Sequence, residues 1–172
     1  MRRLLFLILA PAACHEPRNA APIPSQSVAI YQVVVDSMVP QGPRASHGWL
    51  ADSTRLLTSS MKEDAPRFVE QAPPAYQQAL HALLADTLPE MPLPRTLDLP
   101  RGVSWTGSRT QGDSSDTAFE LSKIAFSSDS SHAVLLRSYF CGPLCARVWI
   151  ELYERYGALS WRRAGVIPVV SS

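Results

Sequence analysis

The sequence predicts an α+β fold: a four-stranded antiparallel meander at the C-terminus, with two or three short helices upstream. Three observations predict it. Apolar residues recur at helical spacing in two N-terminal stretches, and from residue 118 onward the pattern becomes that of β-strands, with clear alternation over 146–153. The 15 prolines cluster in residues 11–24, 40–43, 66–74 and 89–100, which keeps regular elements short and connections long. At 172 residues and 46% hydrophobic composition, the chain can fill one core but not two. The expected layout is a leader over 1–13, a proline-rich tether over 14–25 and a single α+β domain over 26–172.

The first helix is expected over residues 26–39, where Tyr31, Val34, Val35 and Met38 share one face. Ser25 or Ser27 would cap its start and Pro40 would stop it. Residues 47–52, HGWLAD, read as a short strand. The clearest helix spans 74–86: Pro74 suits its first turn, Tyr76, Leu80, Leu83 and Leu84 form the apolar stripe, and Gln77, Gln78 and His81 lie off it. Residues 88–102 hold a proline every few positions and are expected to cross the surface without regular structure. Residues 107–117 form a polar loop.

Four strands follow. Ala118 to Phe126 is the first, bulged because its large apolar residues switch parity between Leu121 and Ile124. Turn chemistry at 127–131 leads to a second strand over Ala133 to Cys141. The third runs from Ala146 to Tyr153, with Ala146, Val148, Ile150 and Leu152 on one face and Arg147, Trp149, Glu151 and Tyr153 on the other. Gly157 marks a turn, and Leu159 to Ile167 is the fourth strand, ended by Pro168. No internal repeat is visible.

The N-terminus carries Arg2 and Arg3, then an apolar run from Leu4 to Ala10 that is too short to span a bilayer. This is the pattern of a secretory signal. Ala12, Ala13 and Cys14 resemble the end of a bacterial lipobox, which makes Cys14 the expected lipidation site. Pro11 stands where such motifs usually carry leucine, and plain cleavage near Ala12 or Ala13 is the alternative. Loss of residues 1–13 would take the formal net charge from +1 to −1. Without a basic stripe, nucleic acid is not an expected partner.

Cys141 and Cys145 flank Gly-Pro-Leu between two successive strands. Residues opposed across such a hairpin have Cβ atoms about 4.5–5.5 Å apart, and a disulfide needs only slightly less. In an exported chain the pair is therefore expected to be a structural disulfide. A redox centre is disfavoured because the spacing exceeds that of C-G-P-C sites and no helix N-terminus is expected to lower a thiol pKa. Zinc is disfavoured as well. Structural zinc takes four ligands, and a full strand separates His132 from the cysteines by roughly 25 Å. His15, His47 and His81 are scattered.

Asp113, Asp116 and Asp129 lack the spacing of a calcium loop. Asp36, Ser37 and His81 can be combined into a triad only on paper. No phosphate loop, G-x-S-x-G or H-E-x-x-H occurs, so no catalytic residue, cofactor or metal is expected. If the third strand leaves one face open, Arg147, Trp149 and Tyr153 form its best candidate binding surface.

Residues 121–161 resemble the C-terminal part of a family of small exported bacterial proteins of uncharacterised function. The matching residues are Leu121 to Ser127, Ala133-Val134, Cys141-Gly142-Pro143-Leu144-Cys145, Leu152 and Trp161, with Ala146 standing where the family usually has glycine. The stretches VAIYQVVVDSMV and WLADST are similar more weakly. The resemblance implies export, a small α+β domain and the paired Cys-Gly-x-Leu-Cys hairpin, and it brings no catalytic residues.

The expected function is that of an exported cell-envelope protein, anchored by lipid alone and facing the periplasm or the cell surface, otherwise secreted. It would act as a noncatalytic binding or structural module toward an envelope partner or ligand. One alternative is an envelope thiol–disulfide enzyme using Cys141 and Cys145. The other is a periplasmic small-ligand carrier with a cleft between the sheet and the 74–86 helix.

Overall fold

The computed structural model of the protein describes residues 24–39, 47–106, 117–141 and 145–171. The expected leader, Cys14, nearly all of the tether, Pro40, the 107–116 loop and Gly142 to Leu144 lie outside the described residues. The fold is α+β, with four helices among the described residues where two or three were expected: α1 (Ser25–Asp36), α2 (Ser59–Glu63), α3 (Ala65–Gln71) and α4 (Pro74–Ala85). Among the described residues, no helix is long and apolar enough to cross a membrane.

The sheet is mixed and, among the described residues, has seven strands where a four-stranded meander was expected. They are β1 (Gly48–Leu50), β2 (Val103–Trp105), β3 (Thr117–Leu121), β4 (Ala125–Phe126), β5 (His132–Phe140), β6 (Ala146–Arg155) and β7 (Trp161–Ser171). Their order is β2-β1-β3-β5-β6-β7, with β4 beside β5. From β3 to β7 all pairing is antiparallel, whereas β1 lies parallel to both β2 and β3. The crossover through α2, α3 and α4 brings β2 back alongside β1 in the same direction. β1 lies within the strand expected over 47–52, whereas β2, also three residues long, shows no period and was not foreseen.

The expected bulge is present and interrupts the first meander strand. β3 and β4 both pair with β5, and their registers differ by one residue. In the gap, the Ser122 hydroxyl accepts from the Leu136 N–H at 2.8 Å, replacing a ladder bond. The extra residue moves the core-facing positions from Phe119 and Leu121 to Ile124 and Phe126.

β7 continues through Pro168, which does not end it. It is an edge strand, and Pro168 pairs with Trp149 beside a register shift between Val148 and Trp149. Proline is tolerated at edges and bulges, where a ladder N–H is dispensable.

Helices cover both faces of the sheet. On one face, Ile30, Tyr31, Val34, Val35 and Met38 of α1 and its end pack on Leu50, Phe119, Leu121, Leu135, Tyr153 and Trp161. The 88–102 crossing joins this core through buried Leu93 and Leu97, and Gln32 fastens it by two 3.0 Å bonds to the Asp98 backbone. On the other face, Phe68 of α3 and Tyr76, Leu80, Leu83 and Leu84 of α4 pack on Val134, Leu136, Val148, Ile150, Leu152 and Ile167. The α4 stripe is the one its periodicity predicts. α2 and α3 are not foreseen, because between them they bury only Phe68 and so show no stripe.

α1 also departs from expectation at both ends. Ser25 is its first helical residue and not its cap, and the preceding Pro24 supplies no side-chain bond. The helix ends at Asp36, before Pro40, where the Ser37 hydroxyl donates to Val34 O at 2.6 Å. That bond competes with further backbone turns.

Candidate functional site

Alternation along β6 sends Arg147, Trp149, Glu151 and Tyr153 to the α1 side of the sheet, and the β5 register sets Tyr139, Arg137 and Leu135 beside the first three. Because α1 covers this face, it is not the open surface anticipated for Arg147, Trp149 and Tyr153. Arg147 is exposed and Trp149 half-buried, but Tyr153 is only 1% exposed and belongs to the core.

Beneath them is a buried charge cluster. Glu151 is 0% exposed and Arg137 5%. A buried carboxylate is tolerable only if its lone pairs are engaged. Glu151 Oε1 accepts from Trp149 Nε1 at 2.9 Å, Arg137 at 3.3 Å and Arg163 at 3.4 Å, while Oε2 accepts from the Tyr153 hydroxyl at 2.5 Å. Every partner is a donor, as an anionic acceptor requires.

Arg137 also donates to Ser37 Oγ at 2.7 Å, at the C-terminus of α1, where the helix dipole favours a cation. Its guanidinium lies between the rings of Phe119 and Trp149, 5.7 and 5.4 Å from their centroids. Burial, then the charge of Glu151, pushes the Tyr153 phenol above the usual tyrosine range.

Where β6 and β7 run past this cluster, a groove of about 530 Å³ opens to solvent. Its lining includes Arg147, Trp149, Arg163, Gly165, Val166 and Pro168. Two residues expected as a binding surface, Arg147 and Trp149, are thus brought together, and Arg163 joins them. Neither Arg163 nor the supporting Arg137 and Glu151 is anticipated as a site residue. The available signal is a single charge inside an apolar run on each of two successive strands, Arg137 in VLLRSYF and Glu151 in VWIELY. Such charges are rarely buried unless paired.

Cys141 and Cys145 bracket the β5–β6 hairpin. Their Cα atoms are 5.1 Å apart, their sulfurs lie at disulfide distance, and Cys141 N–H donates to Cys145 O at 2.9 Å. Both pack against the α1-side core from strand ends, where no helix dipole acts on them.

The remaining candidates lie apart from this groove or outside the described residues. Asp36 and Ser37 end α1 while His81 is on α4, so the sheet separates the members of the paper triad. At the 127–131 turn, Asp129 accepts from the hydroxyls of Ser127 and Ser131, both at 2.6 Å, and from Ser131 N–H at 3.0 Å. These bonds, that of Ser127 foremost, hold its carboxyl well below the usual range. Ser131 Oγ is also 2.8 Å from His132 Nδ1. The hydroxyl therefore lies between acid and imidazole, whereas a nucleophilic relay needs the imidazole in the middle. Asp113 and Asp116 lie outside the described residues. Among the described residues, no group of three His, Cys, Asp or Glu side chains is placed to hold a metal ion.

A second depression, about 410 Å³, lies between the C-terminal end of α4 and residues 123–125. Its ammonium group, that of Lys123, is engaged by Asp86 Oδ2 at 3.0 Å and Leu88 O at 2.7 Å. This is the position foreseen for a carrier cleft, and its polar group already serves the fold.

No family model, curated protein or solved structure matches the chain.

Proposed function

We propose that the chain is an exported cell-envelope protein, tethered by lipid at Cys14, that works by binding and not by catalysis. The Arg147–Trp149–Arg163 groove carries this reading. Its walls are held by a buried ion cluster, and it offers two guanidinium groups to solvent beside an apolar surface. The leader pattern of residues 1–13 and the proline-rich stretch that follows support export and tethering. The Cys141–Cys145 pair suits an oxidising compartment.

Mass spectrometry of protein from its native host, with alkylation before and after reduction, tests the proposal. The expected result is diacylglycerol on Cys14, with Cys141 and Cys145 linked and protected. A mature chain without Cys14 would refute the anchor. Free or readily reduced Cys141 and Cys145 would turn attention to thiol–disulfide exchange.

A further inference from the structure

The groove has a charge imbalance. Two guanidinium groups, those of Arg137 and Arg163, contact the single carboxylate of Glu151, Arg147 adds a third positive charge to the groove, and the groove lining adds no acid. Glu151 is already saturated by four donors. Arg163 keeps 49% of its side chain exposed, and Arg147 lies 6.0 Å from the Tyr139 ring without an ion pair among the described residues. Below them, buried Arg137 Nε finds no acceptor among the described residues.

The walls between the two exposed guanidiniums are apolar. Trp149 turns its N–H inward to Glu151, Val166 is 52% exposed, and Pro168 lacks a donor. A volume of about 530 Å³ is of the size small-molecule sites have.

We propose that this groove binds an anionic amphiphile, a carboxylate or phosphate group carried on an apolar body. The head group pairs with Arg147, whose planar donors match both oxyanions, and Arg163 adds positive charge elsewhere along the groove. The apolar body lies along Trp149, Val166 and Pro168. This deepens the reading that the chain acts by binding, and rests on it.

The test is a titration of the full chain followed by NMR through the indole N–H signal of Trp149, assigned with Trp149→Phe. The probes are octanoate, octyl phosphate and uncharged octanol. At least one anion is expected to shift the signal saturably, binding at least about tenfold tighter than octanol, and Arg147→Glu should weaken it at least about tenfold. Arg147→Glu is expected to leave the melting temperature unchanged, which separates lost binding from lost folding. Comparing octanoate with octyl phosphate tells which head group is preferred. Equal binding of octanol, or indifference to Arg147→Glu, would overturn the ligand class and leave the groove a binding surface. If no probe moves the signal, the ligand class and the groove reading fall together.

Discussion

The two faces of the sheet solve the burial problem differently. Under α3 and α4 the contacts are nearly all aliphatic, with Ile150 and Leu152 against Leu80 and Leu83. Under α1 the same strand contributes Glu151, and with it come Arg137, Tyr153 and the Ser37 bond. An aliphatic face stabilises through area and packing alone. A buried ion cluster returns little net stability compared with apolar replacements, because desolvation offsets much of its attraction. Such a cluster does hold its members in one arrangement. Here those members include Trp149 and Arg163, the walls of the groove.

The largest effect should come from breaking the polar face halfway. Glu151→Ala leaves Arg137 buried beside no carboxylate and should cost about 3–5 kcal/mol in urea unfolding. The double variant Arg137→Met/Glu151→Leu should lose clearly less than Glu151→Ala alone. Equal losses would mean that the charges matter only as volume. Leu80→Ala probes the opposite face, where a cavity should cost about 3 kcal/mol, with no change in the Trp149 indole signal. A disturbed signal would show that the faces are coupled.

Cys141→Ser/Cys145→Ser should cost about 1–2 kcal/mol, because so short a loop constrains little of the unfolded chain. A larger loss would mean that the hairpin end supports the α1-side core more than its half-buried packing suggests.

The gentlest probe is alkaline titration. Tyr153 and Tyr31 both have folded-state pKa values raised above the ordinary 10, each chiefly by burial. The stability linked to their neutral form is therefore full below pH 10 and is lost as pH rises beyond it. Tyrosinate absorbance should show these two of the five tyrosines ionising only as the protein unfolds. Ionisation of all five near pH 10 with the fold intact would contradict their burial.

Legibility followed period and length. α4 was readable because twelve residues repeat one stripe, β6 because its residues from Ala146 to Tyr153 alternate, and β5 because a nine-residue, largely apolar run follows a turn. The bulge before β4 was visible as a change of parity. α2, α3 and β2 were not readable, being too short to complete a pattern. Pro168 misled because its rule depends on whether a strand is central or at an edge, which local sequence does not record. Tyr153 misled for a related reason. Alternation separates two faces but does not say which of them another helix covers.

Periodicity by itself determined the α+β class, the α4 stripe, the antiparallel strands and the pairing of Cys141 with Cys145 across a hairpin, since each depends on residues near one another in the chain. Only the tertiary structure decided that β1 and β2 extend the sheet in parallel and that α1 covers the Glu151 face. It also decided that Arg163, 16 residues beyond Arg147, shares a groove with it. Those outcomes depend on crossovers and register, whose energies lie in contacts between distant segments and leave no local signature.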